Sequence, residues 1–248
     1  MRDAQGWRRK FGMMAPSTNT IVQPDFDDMR PVGVTNHYSR IFTPNTNALS
    51  NDTFRAGIQT IGSNVMDAIK SVMTCEPDYL VMGISALSFF GGVKGADAFA
   101  KRIIDETGLG LTIGSHATAA AIEALGGIKR IAVFTPYWPV MNVEVKRYFS
   151  DIGLTVVRDI ALQCTSWTGI AAVGTAECRD AIRNLDGNDV DAIVQVGTNL
   201  SMVRVAAAAE LWLGKPVIAI NTATYWHSLR MNGIQDQFPG FGRLLEKL

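Results

Sequence analysis

The sequence predicts an α/β fold made of two similar lobes with parallel sheets. Short apolar runs alternate with longer amphipathic stretches along its 248 residues. The apolar runs are almost continuously hydrophobic, which is typical of parallel strands covered by helices on both faces. The second half of the chain also repeats the pattern of the first half, which indicates two pseudo-symmetric, Rossmann-like lobes.

The predicted strands are short apolar runs bounded by Gly, Pro, Asp or Asn. They cover residues 11–15, 79–84, 111–113, 130–134, 192–196 and 216–220. Helical periodicity fills the stretches between them. The predicted helices cover residues 52–74, 95–107, 117–125, 140–152, 175–185 and 202–213.

The internal repeat comprises three pairs of segments. In the first pair, a basic residue precedes an apolar strand that ends at a proline; in the second, an Asp precedes a strand that ends at a glycine and a hydroxyl; in the third, a polar turn leads into a helix. The pairs are residues 10–19 with 130–142, 78–85 with 191–198, and 112–118 with 218–224. We therefore predict one lobe from residues 1–116 with 222–248, and a second lobe from residues 117–221.

The composition excludes several classes of function. Lys and Arg together number 23, as do Asp and Glu, and the short basic run at residues 8–10 is too small to bind nucleic acid or an anionic membrane. Cys75, Cys164 and Cys178 are scattered without C-x-x-C spacing, so neither disulfides nor a metal site is expected. No apolar leader or 18-residue apolar run occurs, which predicts a cytoplasmic protein. No nucleotide-binding glycine motif occurs, so no cofactor is expected.

Hydroxyl side chains follow directly after the predicted strands. They are Ser17, Thr18, Ser85, Ser115, Tyr137, Thr198 and Thr222. Ligands of parallel α/β sheets bind beyond the carboxyl ends of the strands. If the lobes face each other, these groups converge on one cleft. A second interpretation is that they are ordinary helix N-caps and turn formers.

The same segments resemble a known enzyme superfamily. Residues 16–20 (PSTNT) resemble the opening motif of the maleate cis-trans isomerases. Residues 82–89 (MGISALSF), 135–137 (TPY) and 213–217 (LGKPV) are similar to arylmalonate decarboxylase. Both enzymes belong to the aspartate/glutamate racemase superfamily. The resemblance implies an active site in the cleft between the lobes.

In that superfamily, cysteine thiols at the strand exits move a proton on the carbon next to a carboxylate. The isomerases and racemases use two thiols, and the decarboxylase uses one, in the second lobe. The matching positions here are Gly83 and, counting back without gaps from Leu213-Gly214, Gly197. Because isomerases and racemases use both thiols, the loss of the thiols argues most strongly against the isomerase and racemase hypotheses. Decarboxylation of a substituted malonate needs donors that stabilise an enediolate, and Tyr137 or water can supply the final proton.

The resemblance also implies roles for individual residues. Ser85, Tyr137 and Thr198 are the expected catalytic groups, and Ser17, Thr18, Asn19, Gly83 and Gly197 are expected to bind a small carboxylate substrate. An apolar wall is expected from Phe89, Phe90 and Trp138. His116 follows a strand exit and is a candidate acid, base or anion donor. Ile84 stands where the decarboxylase has a threonine donor.

Several functions remain open at this point. The first is a cofactor-independent decarboxylase of a malonate-type acid. The second is an isomerase or racemase-like enzyme with a non-thiol acid and base. The third is a hydrolase of a small amide or ureido acid, assisted by His116 or Cys164, and the fourth is a non-catalytic carboxylate-binding protein. The apolar stretch 202–213 can pack within its lobe or against a second copy of the chain.

Overall fold

Two four-stranded parallel sheets form the framework of the protein. The structure, a computed structural model, describes residues 3–248. The first sheet has the order β2-β1-β3-β4, with β1 (Arg9–Pro16), β2 (Val34–Ile41), β3 (Tyr79–Met82) and β4 (Leu111–Thr112). The second has the order β6-β5-β7-β8, with β5 (Arg130–Thr135), β6 (Thr155–Ala161), β7 (Ala192–Gln195) and β8 (Val217–Ala219). The identical strand order confirms the predicted α/β class with two similar lobes.

Helices connect the strands and cover the sheets. They are α1 (Val22–Asp28), α2 (Asn51–Ser63), α3 (Val65–Met73), α4 (Ala86–Phe89), α5 (Gly92–Thr107), α6 (Gly114–Leu125), α7 (Pro139–Asp151), α8 (Thr175–Leu185), α9 (Val203–Leu213), α10 (Ile220–Met231) and α11 (Arg243–Lys247). The helix predicted over residues 52–74 is two helices that meet at Asn64. Among residues 3–248, none of the helices combines the length and apolar content needed to cross a bilayer.

The strands β2 and β6 were not among the predicted strands. Each is an edge strand, and most of their residues are only half-buried. Polar side chains are tolerated on such strands, so β2 reads VTNHYSRI and lacks the continuous apolar run of a central strand. Residues 155–162 are strand-like in sequence, and β6 covers all of them except Leu162.

The two predicted lobe boundaries both fall inside helices. The boundary after residue 116 lies in α6, and the boundary after residue 221 lies in α10. These helices pack against each other, and α10 also contacts α1, β3 and β4 of the first lobe. The C-terminal part of the chain therefore returns to the first sheet.

The helix α9 packs on its own lobe with one face and exposes apolar side chains on another. Val203, Ala206 and Ala209 are buried within the second lobe, whereas Leu211 is 86% exposed. Its apolar content is thus only partly explained by packing within the lobe.

Candidate functional site

A small cavity of about 40 Å³ lies where the exits of the central strands β1, β3, β5 and β7 meet. A cavity of this size has room for only a few water molecules. Its lining residues are all uncharged: Pro16, Thr18, Asn19, Ile58, Ile61, Ile84, Ser85, Ala86, Pro136, Tyr137, Trp167, Ile170, Gly197, Thr198 and Asn199. Any anion bound here must therefore be held by hydroxyl groups, amides and backbone N–H groups.

Ser85 and Tyr137 form a hydroxyl pair at the centre of this cavity. Ser85 precedes α4 in the first lobe, Tyr137 follows β5 in the second, and both are buried. Their oxygens are 2.5 Å apart. The pair has two hydroxyl protons but only one hydrogen bond between its oxygens. Whichever group donates in that bond, the other keeps a proton that it can donate to a ligand. Burial raises the pKa of the Tyr137 phenol above its usual range, and the bond to Ser85 opposes part of that rise.

Thr198 connects the second lobe to this pair. Its backbone N–H donates to Ser85 Oγ at 3.2 Å, and its hydroxyl donates to the carbonyl oxygen of Gly83 at 3.1 Å. The same hydroxyl oxygen accepts a bond from Asn19 Nδ2 at 3.1 Å. Thr198 is thus fixed at the lobe interface by three contacts with the first lobe.

Asn19 orders the strand exit of β1. Its Oδ1 accepts from the backbone N–H groups of Ile21 and Val22, at 3.0 and 2.9 Å, at the start of α1. Because its oxygen is used in this way, only its amide nitrogen faces Thr198. The motif residue Asn19 therefore positions the cavity wall as well as lining it.

The other hydroxyls of the opening motif differ from each other. Thr18 lines the cavity and is 9% exposed. Ser17 points elsewhere, because its Oγ accepts from the N–H of Thr43 at 2.9 Å and its side chain is not part of the lining. The predicted substrate-binding role of Ser17 has no geometric support in the structure.

Free backbone donors also border the cavity. In the described part of the chain, the N–H groups of Thr18, Ser85 and Ala86 donate to no other group. Unpaired N–H groups at strand exits and helix starts attract anions. Together with the Ser85 and Tyr137 hydroxyls, they can bind a carboxylate and stabilise additional negative charge on it.

Asn199 and Trp167 are site residues that the sequence reading missed. Asn199 Oδ1 accepts from the N–H of Thr20 at 2.9 Å, and its Nδ2 donates to the carbonyl of Trp167 at 2.8 Å. The Trp167 ring packs on Phe54 with centroids 5.0 Å apart and closes the apolar side of the cavity. The sequence gives no signal of the bond between Thr20 and Asn199, since the two residues are 179 positions apart.

The two glycines at the expected thiol positions have different backbone environments. Gly83 N donates to Met14 O as Val196 N donates to Phe134 O, so Val196 is the second-lobe counterpart of Gly83. Gly197 lies one residue further along its strand exit, which corrects the thiol position given by the ungapped count. Gly197 has φ +137°, and a Cβ there would overlap the Pro136 ring. A side chain at Gly197 is therefore excluded by both backbone and space.

None of the three cysteines lies at the cavity. Burial raises the pKa of the Cys164 and Cys178 thiols to about 11, with Glu177 adding to the rise. Cys75 lies after α3, and burial raises its pKa too. Cys164 follows a strand exit as predicted, but its thiol is not part of the lining and is a poor nucleophile.

His116 and the three predicted wall aromatics also lie elsewhere. His116 Nε2 is 3.0 Å from Asp97 Oδ1 on a separate surface groove, which corrects its predicted place in the site. Phe89 packs on Tyr148, Phe90 is half-exposed, and Trp138 Nε1 donates to the Cys164 carbonyl. The apolar wall is formed instead by Trp167 and isoleucines.

Within residues 3–248, no group of three or more His, Cys, Asp and Glu side chains is arranged to hold a metal ion.

The fold and the cavity define a two-lobed α/β protein of the Asp/Glu racemase-like fold, with a cavity between pseudo-symmetric lobes. The arylmalonate decarboxylase family matches residues 21–245. The chain belongs to this family.

Individual relatives fall into two groups. The maleate isomerases of Nocardia farcinica and Pseudomonas putida are 22% and 24% identical to this chain, with 96% and 95% of this chain and 96% of each relative covered. A Cys-to-Ser mutant of the Nocardia farcinica isomerase, with a covalently bound succinylcysteine intermediate, has a TM-score of 0.86 at 22% identity, covering 97% of this chain and 99% of that one. A liganded double mutant of arylmalonate decarboxylase has a TM-score of 0.80 at 22% identity, covering 96% and 99%.

Proposed function

We propose that the protein is a cofactor-independent enzyme that decarboxylates a substituted malonate. The observation that carries this proposal is a cavity that combines a set of uncharged anion donors with an apolar wall and contains no thiol. Membership of the arylmalonate decarboxylase family supports the same chemistry. The substrate class is a small dicarboxylate with one apolar substituent.

The reaction requires stabilisation of charge on one carboxylate. The bond between the central carbon and the departing carboxylate breaks, CO₂ leaves, and its electron pair forms an enediolate on the carboxylate that remains. The free N–H groups of Thr18, Ser85 and Ala86 and the hydroxyl pair are the donors for that enediolate. Such preorganised donors act strongly in a water-poor cavity.

A proton must then be added to the central carbon. Tyr137 is the proposed donor, and Ser85 is hydrogen-bonded to it and can return a proton from water. Although burial raises the phenol pKa, the carbon acid that forms is a far weaker acid, so the transfer remains favourable. The net reaction consumes one proton and yields one CO₂ and one monocarboxylate.

Cis-trans isomerisation of a maleate-like diacid is a second candidate. The curated relatives that match nearly the whole chain are maleate isomerases. The succinylcysteine in the Nocardia farcinica structure indicates a thiol that adds to the substrate in that enzyme. In this chain an oxygen of Ser85 or Tyr137 has to replace it, and neither is a strong nucleophile at its usual pKa. The hydrolase reading has no support, because His116 and Cys164 lie outside the cavity.

The experiment is proton NMR in D₂O with the purified protein and three substrates: methylmalonate, phenylmalonate and maleate. Decarboxylation predicts deuterium at the α-carbon of the monoacid together with CO₂ release. Isomerisation predicts fumarate signals from maleate without CO₂. Ligand shifts without turnover of any of the three support a binding protein and overturn the enzyme proposal.

Matched variants link the result to the site. Tyr137→Phe removes the proposed acid, whereas Tyr38→Phe removes a phenol that donates to the Gln23 carbonyl on the first lobe. Ser85→Ala is paired with Ser63→Ala, an exposed serine at the end of α2. Turnover that survives both cavity substitutions would place the chemistry elsewhere.

A further inference from the structure

Behind the cavity, a buried polar link connects α1 to Thr198. Asn221 lies in the first turn of α10 and is 2% exposed. Its Nδ2 donates to the Asp25 carboxylate at 2.7 Å and to the Thr198 carbonyl at 3.0 Å. Neither Asp25 nor Asn221 lines the cavity, so both act at one remove from a ligand.

The two acceptors fix the orientation of the Asn221 amide. The Asp25 carboxylate and the Thr198 carbonyl are both hydrogen-bond acceptors. Of the two ends of the Asn221 amide, only the NH₂ group can donate two hydrogen bonds, so it must face them. The Asn221 Oδ1 atom is buried and has no partner within residues 3–248. The Asn221 amide is therefore held only through its NH₂ group, and the stronger of its two hydrogen bonds is the one to the charged Asp25 carboxylate.

The charged groups around Asp25 do not neutralise it directly. Asp28 on the same helix repels it, and Arg204 on α9 attracts it from a distance. Arg204 itself contacts Asp28 at 3.3 Å. Burial raises the pKa of Asp25 to about 6, and the bond from Asn221 opposes part of this rise.

We propose that Asp25 is a positioning residue that acts through Asn221, and that its protonation state controls how firmly Thr198 is held at the cavity. Thr198 makes four hydrogen bonds through three groups, which are its N–H, its hydroxyl and its carbonyl, and the bond to the carbonyl is the one that leads through Asn221 to Asp25. A bond to an ionised acceptor is roughly twice as strong as a neutral one. Protonation of Asp25 loosens Asn221 and, through the carbonyl, the Thr198 N–H that donates to Ser85.

This inference rests on the proposed function only in placing Thr198 in the site. Its first test therefore needs no turnover. In ¹⁵N-labelled protein, the side-chain NH₂ of Asn221 and the backbone amide of Thr198 are followed by NMR from pH 4.5 to 8. Both signals are expected to move with one inflection near pH 6.

Two variants assign that inflection. Asp25→Asn is isosteric and can still accept from Asn221, but it cannot titrate, so the inflection is expected to vanish. Asp28→Asn removes a neighbouring exposed carboxylate and is expected to keep it. Signals that do not move in the wild-type protein, or an inflection that persists in Asp25→Asn, would overturn the proposal.

The second test uses whichever substrate is turned over. Asp25→Ala removes the anchor and is expected to lower kcat about 10–100-fold with little change in KM, since a shift of a site group by a fraction of an ångström is costly. Asp25→Asn keeps an acceptor for Asn221 but no charge, so its kcat is expected to lie between those of Asp25→Ala and the wild-type protein, at the level that the wild-type protein reaches below pH 6. The acid limb of the pH profile near pH 6 is expected to disappear. Equal losses in Asp25→Ala and Asp25→Asn, with no change in pH profile, would indicate a merely structural residue.

Discussion

Ser85 Oγ and Tyr137 Oη lie 2.5 Å apart, although Ser85 belongs to the first sheet's strand exits and Tyr137 to the second's. Tyr137→Phe and Ser85→Ala are each expected to lower kcat by about 10²–10³-fold, the usual cost of one lost donor to a developing oxyanion. The double variant is expected to lose little more, because the two hydroxyls act as one unit. Steady-state kinetics of the four proteins tests this, and fully additive losses would contradict it.

Introducing a thiol at Gly197 is expected to destabilise the protein. The backbone has φ +137° and a Cβ overlaps Pro136, so Gly197→Cys is expected to cost more than the roughly 1–3 kcal/mol of backbone strain alone. Gly214→Cys is the matched control, since its φ is +71° but no atom lies within 4 Å of a Cβ. Chemical denaturation compares the two. A Gly197→Cys variant as stable as Gly214→Cys would refute the packing argument.

Gly83→Cys is expected to be tolerated better. The glycine has no positive φ, but a Cβ there would lie 2.8 Å from Cγ1 of the buried Val22 and 3.1 Å from the Met14 carbonyl oxygen, so Val22 must move. We expect a folded protein of reduced stability, with the thiol packed against Val22 and Ala15. Thiol titration and a melting curve measure the outcome. Loss of the folded state would show that the residues around Gly83 cannot move to accommodate a side chain.

Asp25→Asn is expected to stabilise the protein at high pH. The pKa of Asp25 rises from 3.8 to about 6 in the folded state, so ionising it costs folding roughly 3 kcal/mol above pH 6. A raised carboxyl pKa means that stability is greatest below pH 3.8 and is lost as the pH rises through 6. The gain from Asp25→Asn should shrink from about 3 kcal/mol at pH 8 to about 1 kcal/mol at pH 4.5. Urea denaturation at both values checks it, and a gain that does not depend on pH would contradict it.

His227 is expected to make the protein sensitive to acid. Burial lowers its pKa from 6.5 to about 4, with a smaller contribution from His116, and its Nδ1 lies 3.0 Å from Thr112 Oγ1. The neutral ring is favoured in the fold, so its contribution to stability is complete above pH 6.5 and is lost as the pH falls through 4. His227→Asn should flatten the melting temperature between pH 6.5 and 4. An unchanged slope would mean that other groups govern acid unfolding.

The central strands and their polar exits could be predicted because each carries a local signal. Residues 79–84 are continuously apolar and lead directly to Ser85, and residues 192–196 are apolar except for Gln195 and are followed by Gly197 and Thr198. The edge strand β2 could not be found, since its partly exposed positions admit polar residues. The similarity of the two lobes could be predicted because the sequence of the second half repeats the pattern of the first. That prediction does not depend on any single contact.

The part of the site that the sequence does not predict depends on contacts between residues that are far apart in the chain. Asn199, Asn221 and Trp167 are unremarkable in sequence, and their partners are set by how the lobes meet. The error on His116 has a simpler cause. Ser115 and His116 are neighbours in the first turn of α6, and a helix turns by about 100° per residue, so Ser115 is buried while His116 reaches Asp97 on the surface.

The bonds from Asn19 to Thr198, from Thr20 to Asn199 and from Ser85 to Tyr137 all run between the lobes. The residues of the proposed site therefore come from both lobes, and neither lobe contains the full set. Separation of the lobes would break these three bonds at once. We therefore expect that either half of the chain, produced alone, has no activity at all rather than a reduced one.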